Sequence, residues 1–338
     1  MARSLLRDTP SQPELVALLK AVPRKPLLPP WDAAPWREAA ARPLVRELYG
    51  PMRERALSEI GLETPLPELS DALYADFKKT GIRLRFERPY FERRRRLARA
   101  AAALLLGGPD DPQRGRLVAA LVGDFDAVSG EVSWSLPAHV DWKNESGKDP
   151  FQIDLFCAET ANLVGEVLDV FGALLPAPLA ARVRERLRTH IFENYLKTDF
   201  YWITSENNWN SVCHQGVLGA ALSQWDDSEG LAAMLRRAAA GLPRYLKGFA
   251  ADGGTSEGVG YWNYGFGWFA VLNEQLEART GGALSLFDGE DRPQIAAIAR
   301  FGPMMALHGG KLVNFADGGP EGVLPPQLLS YLGRRLED

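Results

Sequence analysis

Residues 149–175 read DPFQIDLFCAETANLVGEVLDVFGALL. After the opening aspartate and proline, apolar side chains recur three and four positions apart, as at Ala161, Val164, Leu168 and Phe171. That spacing marks one face of an α-helix, not the alternation of a strand. The same pattern continues in both directions. Upstream lie PLVRELYGPMRERALSEI (43–60), PYFERRRRLARAAAALLLG (89–107) and PQRGRLVAALVGDFDAVSG (112–130); downstream lie PAPLAARVRERLRTHIFENYL (176–196), SEGLAAMLRRAAAGLPRYLKGF (228–249) and RPQIAAIARFGPMMALH (292–308). Proline, glycine and aspartate punctuate them as helix stops. The chain therefore reads as all-α, with roughly ten or more helices, short loops and no sequence period, which favours a closed helical toroid or irregular bundle over a strict solenoid. Strand-like alternation is confined to GKLVNFADGG (310–319). Residues 1–35 are proline-dense and hold one short helical stretch around Leu15 to Leu19, so they read as an arm over a body spanning 36–338.

Composition bounds the function. The 338 residues carry 39 Lys and Arg against 43 Asp and Glu, a formal charge of −4, so no general field draws nucleic acid or anionic lipid. Two cysteines exclude a disulfide scaffold and a four-cysteine zinc site, and suit a reducing compartment. The first residues, MARSLLRDTPSQPELV, lack the apolar run of a signal peptide, which predicts a cytoplasmic protein unless a leader precedes them. There is no Walker loop, GxGxxG, HExxH or GxSxG elbow, and no cofactor or metal is expected. The arginines at Arg83, Arg85, Arg88, Arg93 to Arg96 and Arg99 read as a solvated helix face diluted by Glu87 and Glu92.

Three segments concentrate chemistry. In SENNWNSVCHQGVLGAAL (205–222), a helix starting near Asn207 or Asn208 places Asn207, Asn210, Ser211 and His214 on one face. They read either as a pocket floor or as helix caps with a satisfied histidine. In FAADGGTSEGVGYWNYGFGWF (249–269), a glycine-rich loop precedes Tyr261, Trp262, Tyr264 and Trp268. Glu257, Tyr261 and Tyr264 share a helical face, and the rings suit either a sugar platform or an aromatic core stripe. In EVSWSLPAHVDWKNESGKDPFQIDLFCAETANL (131–163), Trp134, His139 and Trp142 lie on a long loop before a helix carrying Asp154 and Glu159.

NNWNSVCHQG, followed some fifty residues later by DGGTSEGVGYWNYG and then by FADGG, resembles the heparinase II/III-like family of polysaccharide lyases, over roughly residues 85–320. The resemblance implies an N-terminal (α/α) toroid followed by antiparallel β-sheet domains, of which this sequence would be the toroid without the sheet domain. It also implies β-elimination at the uronic acids of an acidic, glycosaminoglycan-like or alginate-like polysaccharide. It assigns carboxylate neutralisation to Asn208, with Asn207 second, and proton transfer to Tyr261, with Tyr264 as alternative. Several members have a histidine beside the asparagine; here that place is Trp209 and the nearest histidine is His214. Catalytic candidates are thus Tyr261, Asn208 and His214, and substrate-binding candidates are Asn207, Trp209, Asn210, Tyr264, Trp262, Trp134, His139 and Glu257. The alternatives are a glycoside hydrolase or epimerase on the same scaffold, using Asp154, Glu159 and Glu257, or a non-catalytic carbohydrate-binding module.

Overall fold

The computed structural model describes residues 2–142, 147–316, 318–319 and 321–336. Helix accounts for 67% of the chain and strand for 3%, so the all-α expectation holds. The chain divides into two compact units, residues 1–25 with 191–338, and residues 26–190. This differs from an arm followed by one body at residue 36.

The first unit begins with β1 (Arg3–Ser4) and α1 (Gln12–Ala21). A capping box at Ser11 and Glu14 starts α1, and Leu15 and Leu19 are fully buried. The guanidinium of Arg279 donates to the Leu19 and Val22 carbonyls, satisfying acceptors that the end of α1 leaves open. These residues are therefore part of a core. In the second unit, α2 (Ala34–Ala41) and α3 (Pro43–Gly61) lead to α4 (Asp71–Thr80), α5 (Leu84–Gly107), α6 (Arg114–Ser129), α7 (Leu155–Phe171) and α8 (Ala177–Arg186). The chain returns to the first unit with α9 (Glu193–Lys197), α10 (Asn208–Gln224), α11 (Ser228–Lys247), α12 (Gly258–Tyr261), a π-helical turn (Trp262–Phe266) and α13 (Gly267–Thr280). After β2 (Leu284–Ser285) come α14 (Arg292–Met304), β3 (Ala306–Leu307), β4 (Lys311–Leu312) and α15 (Pro326–Leu336).

β1 pairs in parallel with β2, Arg3 opposite Leu284, and so ties the N-terminus to the strand after α13. β3 and β4 form an antiparallel hairpin that accounts for the strand hint near residue 312. Asp317 of the FADGG motif and residues 143–146 of the 131–163 segment lie outside the described residues.

α10 is the centre of the first unit. Every residue from Asn210 to Gln224 is buried, and the helix packs against α11 and α13. A helix enclosed on all sides needs small residues where neighbours approach, and Gly216, Gly219, Ala220 and Ala221 supply them.

The arginines of α5 are only in part a solvated face. Arg93 and Arg94 both pair with Glu131, and Arg99 pairs with Glu59 and Glu92. Arg94 also lies 3.4 Å over the Tyr90 ring. The Arg94 and Arg99 side chains are only 10% and 7% exposed, whereas Arg95 is 60% exposed. Arg93, Arg94, Arg96 and Arg99 thus form an internal ion-pair network, whereas Arg83, Arg85, Arg88 and Arg95 are exposed, as a solvated face requires. No helix among the described residues is long and apolar enough to cross a membrane.

Candidate active site

α10 begins where the two motifs of the first unit meet. Asn207 is its N-cap: the carboxamide oxygen accepts from the Trp209 amide at 3.2 Å and from the Ser205 hydroxyl at 3.0 Å. Glu257, forty-nine residues on, closes the same end from outside. Its carboxylate accepts from the Asn208 backbone amide at 3.2 Å and from Asn208 Nδ2 at 2.9 Å. A carboxylate at a helix N-terminus is favoured by the helix dipole, and this one also fixes which way the Asn208 amide faces. Asn208 Oδ1 is buried and has no hydrogen-bond partner among the described residues.

Glycine makes this approach possible. A Cβ on Gly265 would sit 2.7 Å from the Tyr245 hydroxyl and 3.1 Å from Asn208 Cβ. The π-helical turn carrying Gly265 can therefore rest on the first turn of α10, and the Ser211 hydroxyl donates across to the Gly265 carbonyl at 2.8 Å. Gly258, at φ +86°, turns the chain just after Glu257 and sits against the Phe315 carbonyl. Burial pushes the Tyr245 phenol well above its ordinary value.

Around this centre the sequence candidates separate. Asn208 and Glu257 are joined directly; Asn207 and the half-exposed Trp209 sit on the rim at the same helix end. Tyr261 closes α12 four residues after Glu257 and is half-buried. Tyr201, which none of the three sequence segments includes, is 60% exposed with its ring centroid 5.3 Å from that of Trp209. Its signal is the run FYW shortly before the asparagines, of which Phe200 and Trp202 are buried.

Three candidates of this unit fall inside the core. His214 is 0% exposed. Its Nδ1–H donates to the Asn210 carbonyl at 2.7 Å and side-chain oxygen at 3.0 Å, while Nε2 is buried without a partner among the described residues. Burial lowers its pKa to about 4. A neutral, enclosed ring touches no substrate, so His214 is a brace and not a catalytic group. Asn210 is equally enclosed. Its Nδ2 donates to the Ile203, Ser205 and Gly241 carbonyls, which ties the preceding loop and α11 to α10. Trp262 is fully buried, donates to the Ile298 carbonyl at 2.7 Å, and offers no face to a sugar. Tyr264 is half-buried and lines a cavity beside α13.

The candidates of the second unit are structural in their surroundings. Trp134 is 2% exposed, donates to the Val128 carbonyl and has the Arg186 guanidinium 4.1 Å over its ring. Its ring is therefore not a sugar platform. Asp154 caps α7 through the Cys157 amide and also accepts from the Leu136 amide and from His139 Nδ1 at 2.8 Å. With Nδ1 donating to Asp154, His139 Nε2 accepts from Arg83 at 3.1 Å, and the ring stacks on Phe156. Asp154, which the hydrolase alternative needs as an acid or base, is thus fully buried and filled by three N–H donors.

Among the described residues no group of three or more His, Cys, Asp and Glu side chains is placed to hold a metal ion. The fold and this centre define an all-helical protein with a polar, aromatic-rimmed site at the N-terminus of a buried helix. No model of a known protein family matches the chain, and no curated protein matches it.

Proposed function

We propose that the chain is a polysaccharide-lyase-like protein acting by β-elimination on the uronic acids of an acidic polysaccharide, with an (α/α) toroid as its scaffold. The observation that carries the reading is the direct hydrogen bonding of Asn208 to Glu257, which joins the two motifs behind the resemblance at one helix end. Elimination needs the uronate carboxylate neutralised so that the proton on C5 becomes removable. Asn208, 4% exposed at the helix end, is assigned that role: one N–H of its amide is held by Glu257, and the second is the one assigned to a carboxylate oxygen. Tyr261 supplies the proton-transfer oxygen. In its phenolate form it takes the C5 proton as the C5–H electron pair forms the C4–C5 double bond and the C4–O4 bond breaks, and the phenol so formed returns that proton to the departing O4. With His214 enclosed, this step falls to tyrosine. The exposed Tyr201 and the half-exposed Trp209, at the same end of α10, offer ring faces to the sugars.

The test is incubation with alginate, polygalacturonate, hyaluronan and heparan sulfate, followed by the ultraviolet absorbance of an unsaturated uronate. Absorbance appearing with at least one polymer, and lost in Asn208→Ala, supports the reading. Reducing ends released without that absorbance establish the hydrolase alternative, and no product from any polymer removes the lyase assignment.

A further inference from the structure

A cavity of about 430 Å³ lies within the first unit between α13 and α15. None of Asn208, Glu257 and Tyr261, the residues of the proposed lyase centre, lines it, although Tyr264, the alternative for proton transfer in the resemblance, does. Its volume falls in the range of pockets that take small ligands.

The walls have a definite chemistry. Tyr264 and Trp268, one helical turn apart, and Tyr331 from α15 present aromatic surface, and all three are half-buried. The Tyr331 hydroxyl accepts from Asn273 Nδ2 at 2.9 Å, and burial pushes its pKa up to about 12. That wall is therefore fixed and uncharged. Asn263, Gln327 and Glu274 add two amides and a carboxylate, groups that exchange hydrogen bonds with hydroxyls. No lysine, arginine or histidine is among the described lining residues. A uronate or sulfate placed here would meet the like charge of the exposed Glu274 carboxylate and no cation among the described lining residues, so an uncharged ligand is favoured. Asn263 is half-buried, and Glu274 and Gln327 are exposed, so polar groups rim the aromatic wall.

We propose that this cavity is a binding site for an uncharged sugar ring, distinct from the acidic substrate of the lyase reading and independent of it. The ring's C–H face packs on Trp268 and Tyr264, and its hydroxyls bond to Asn263, Gln327 and Glu274. Gly267 lines the space: a Cβ there would stand 3.5 Å from Leu328 Cδ2 and 3.8 Å from Asn263 Oδ1, both ordinary contacts, so side-chain atoms beyond it take room from the cavity wall.

The full chain is titrated with cellotriose, maltotriose and mannotriose by calorimetry and saturation-transfer NMR. At least one trisaccharide should bind in the micromolar to millimolar range. Trp268→Ala should weaken it about tenfold or more through lost stacking. Gly267→Leu, which favours helix, should abolish it. Exposed Gln327→Ala should weaken it with the melting temperature unchanged, so the test stands even if Trp268→Ala fails to fold. Asn208→Ala should bind like the unmodified chain. Absence of binding by all three sugars, or binding that survives both Gly267→Leu and Gln327→Ala, overturns the proposal. So does trigalacturonate binding more tightly than any neutral sugar in a manner blocked by Gly267→Leu. The lyase reading fails on the unsaturated product, which these titrations do not measure.

Discussion

Asn208 and His214 lie nearly two turns apart on one helix and differ in what surrounds their polar atoms. Asn208 faces Glu257 at the helix end, whereas His214 is closed in by Trp202, Tyr195 and the α11 backbone near Gly241. Enclosure keeps the ring neutral. Its pKa falls from 6.5 to about 4, chiefly through burial and secondarily through Arg237, with the Asn210 carbonyl opposing. The folded pKa lies below the unfolded one, so above about pH 6.5 both states are neutral and His214 makes no pH-dependent contribution. From about pH 6.5 down to about 4 the unfolded chain takes up a proton that the folded chain refuses, a stability loss on the order of 3 kcal/mol. Urea unfolding across that window should show His214→Gln losing less stability than the unmodified chain. Equal losses would contradict the enclosed neutral ring. The i, i+3, i+4, i+7 spacing of Asn207, Asn210, Ser211 and His214 is readable from sequence. Which neighbours cover that face depends on residues such as Ile203 and Gly241, far enough along the chain that spacing within α10 does not report them.

α5 shows the same limit at the scale of an element. Its arginine density is plain, and nothing local distinguishes Arg94 from Arg95. The difference is Glu131, which lies beyond α6 and brings its carboxylate to Arg93 and Arg94 together. Removing it leaves two largely enclosed cations without that partner. Glu131→Ala should cost about 3–5 kcal/mol in urea unfolding, while Arg95→Ala should stay within about 0.5 kcal/mol. Similar small effects for both would return the run to the surface. The same enclosure means that reversing charges at Arg93 and Arg94 disrupts the unit before it tests any polyanion contact. By contrast the junction of Asn208 with Glu257 is foreshadowed, because the loop DGGTSEG carries both the carboxylate and the glycine at positive φ that the turn beside it requires.

For the whole molecule, the helical class follows from periodicity alone, but the division of the chain does not. Proline density makes residues 1–35 resemble an arm, yet Leu15 and Leu19 are as enclosed as any core residue and β1 is paired to β2. Leu15→Ala should therefore cost about 2–5 kcal/mol, read as a lower denaturation midpoint. An unchanged midpoint would restore the arm. The proposed division of roles gives uronate binding to Asn208 and proton transfer to Tyr261. It is tested most directly by single-turnover measurement of the unsaturated uronate, beside calorimetric affinity for the same acidic oligosaccharide, in the unmodified chain, Asn208→Ala and Tyr261→Phe. Losing a proton-transfer group typically costs about 10² to 10⁴ in rate. Tyr261→Phe should lose turnover by that order with affinity nearly intact, and Asn208→Ala should lose both; turnover that Tyr261→Phe leaves unchanged would contradict the account.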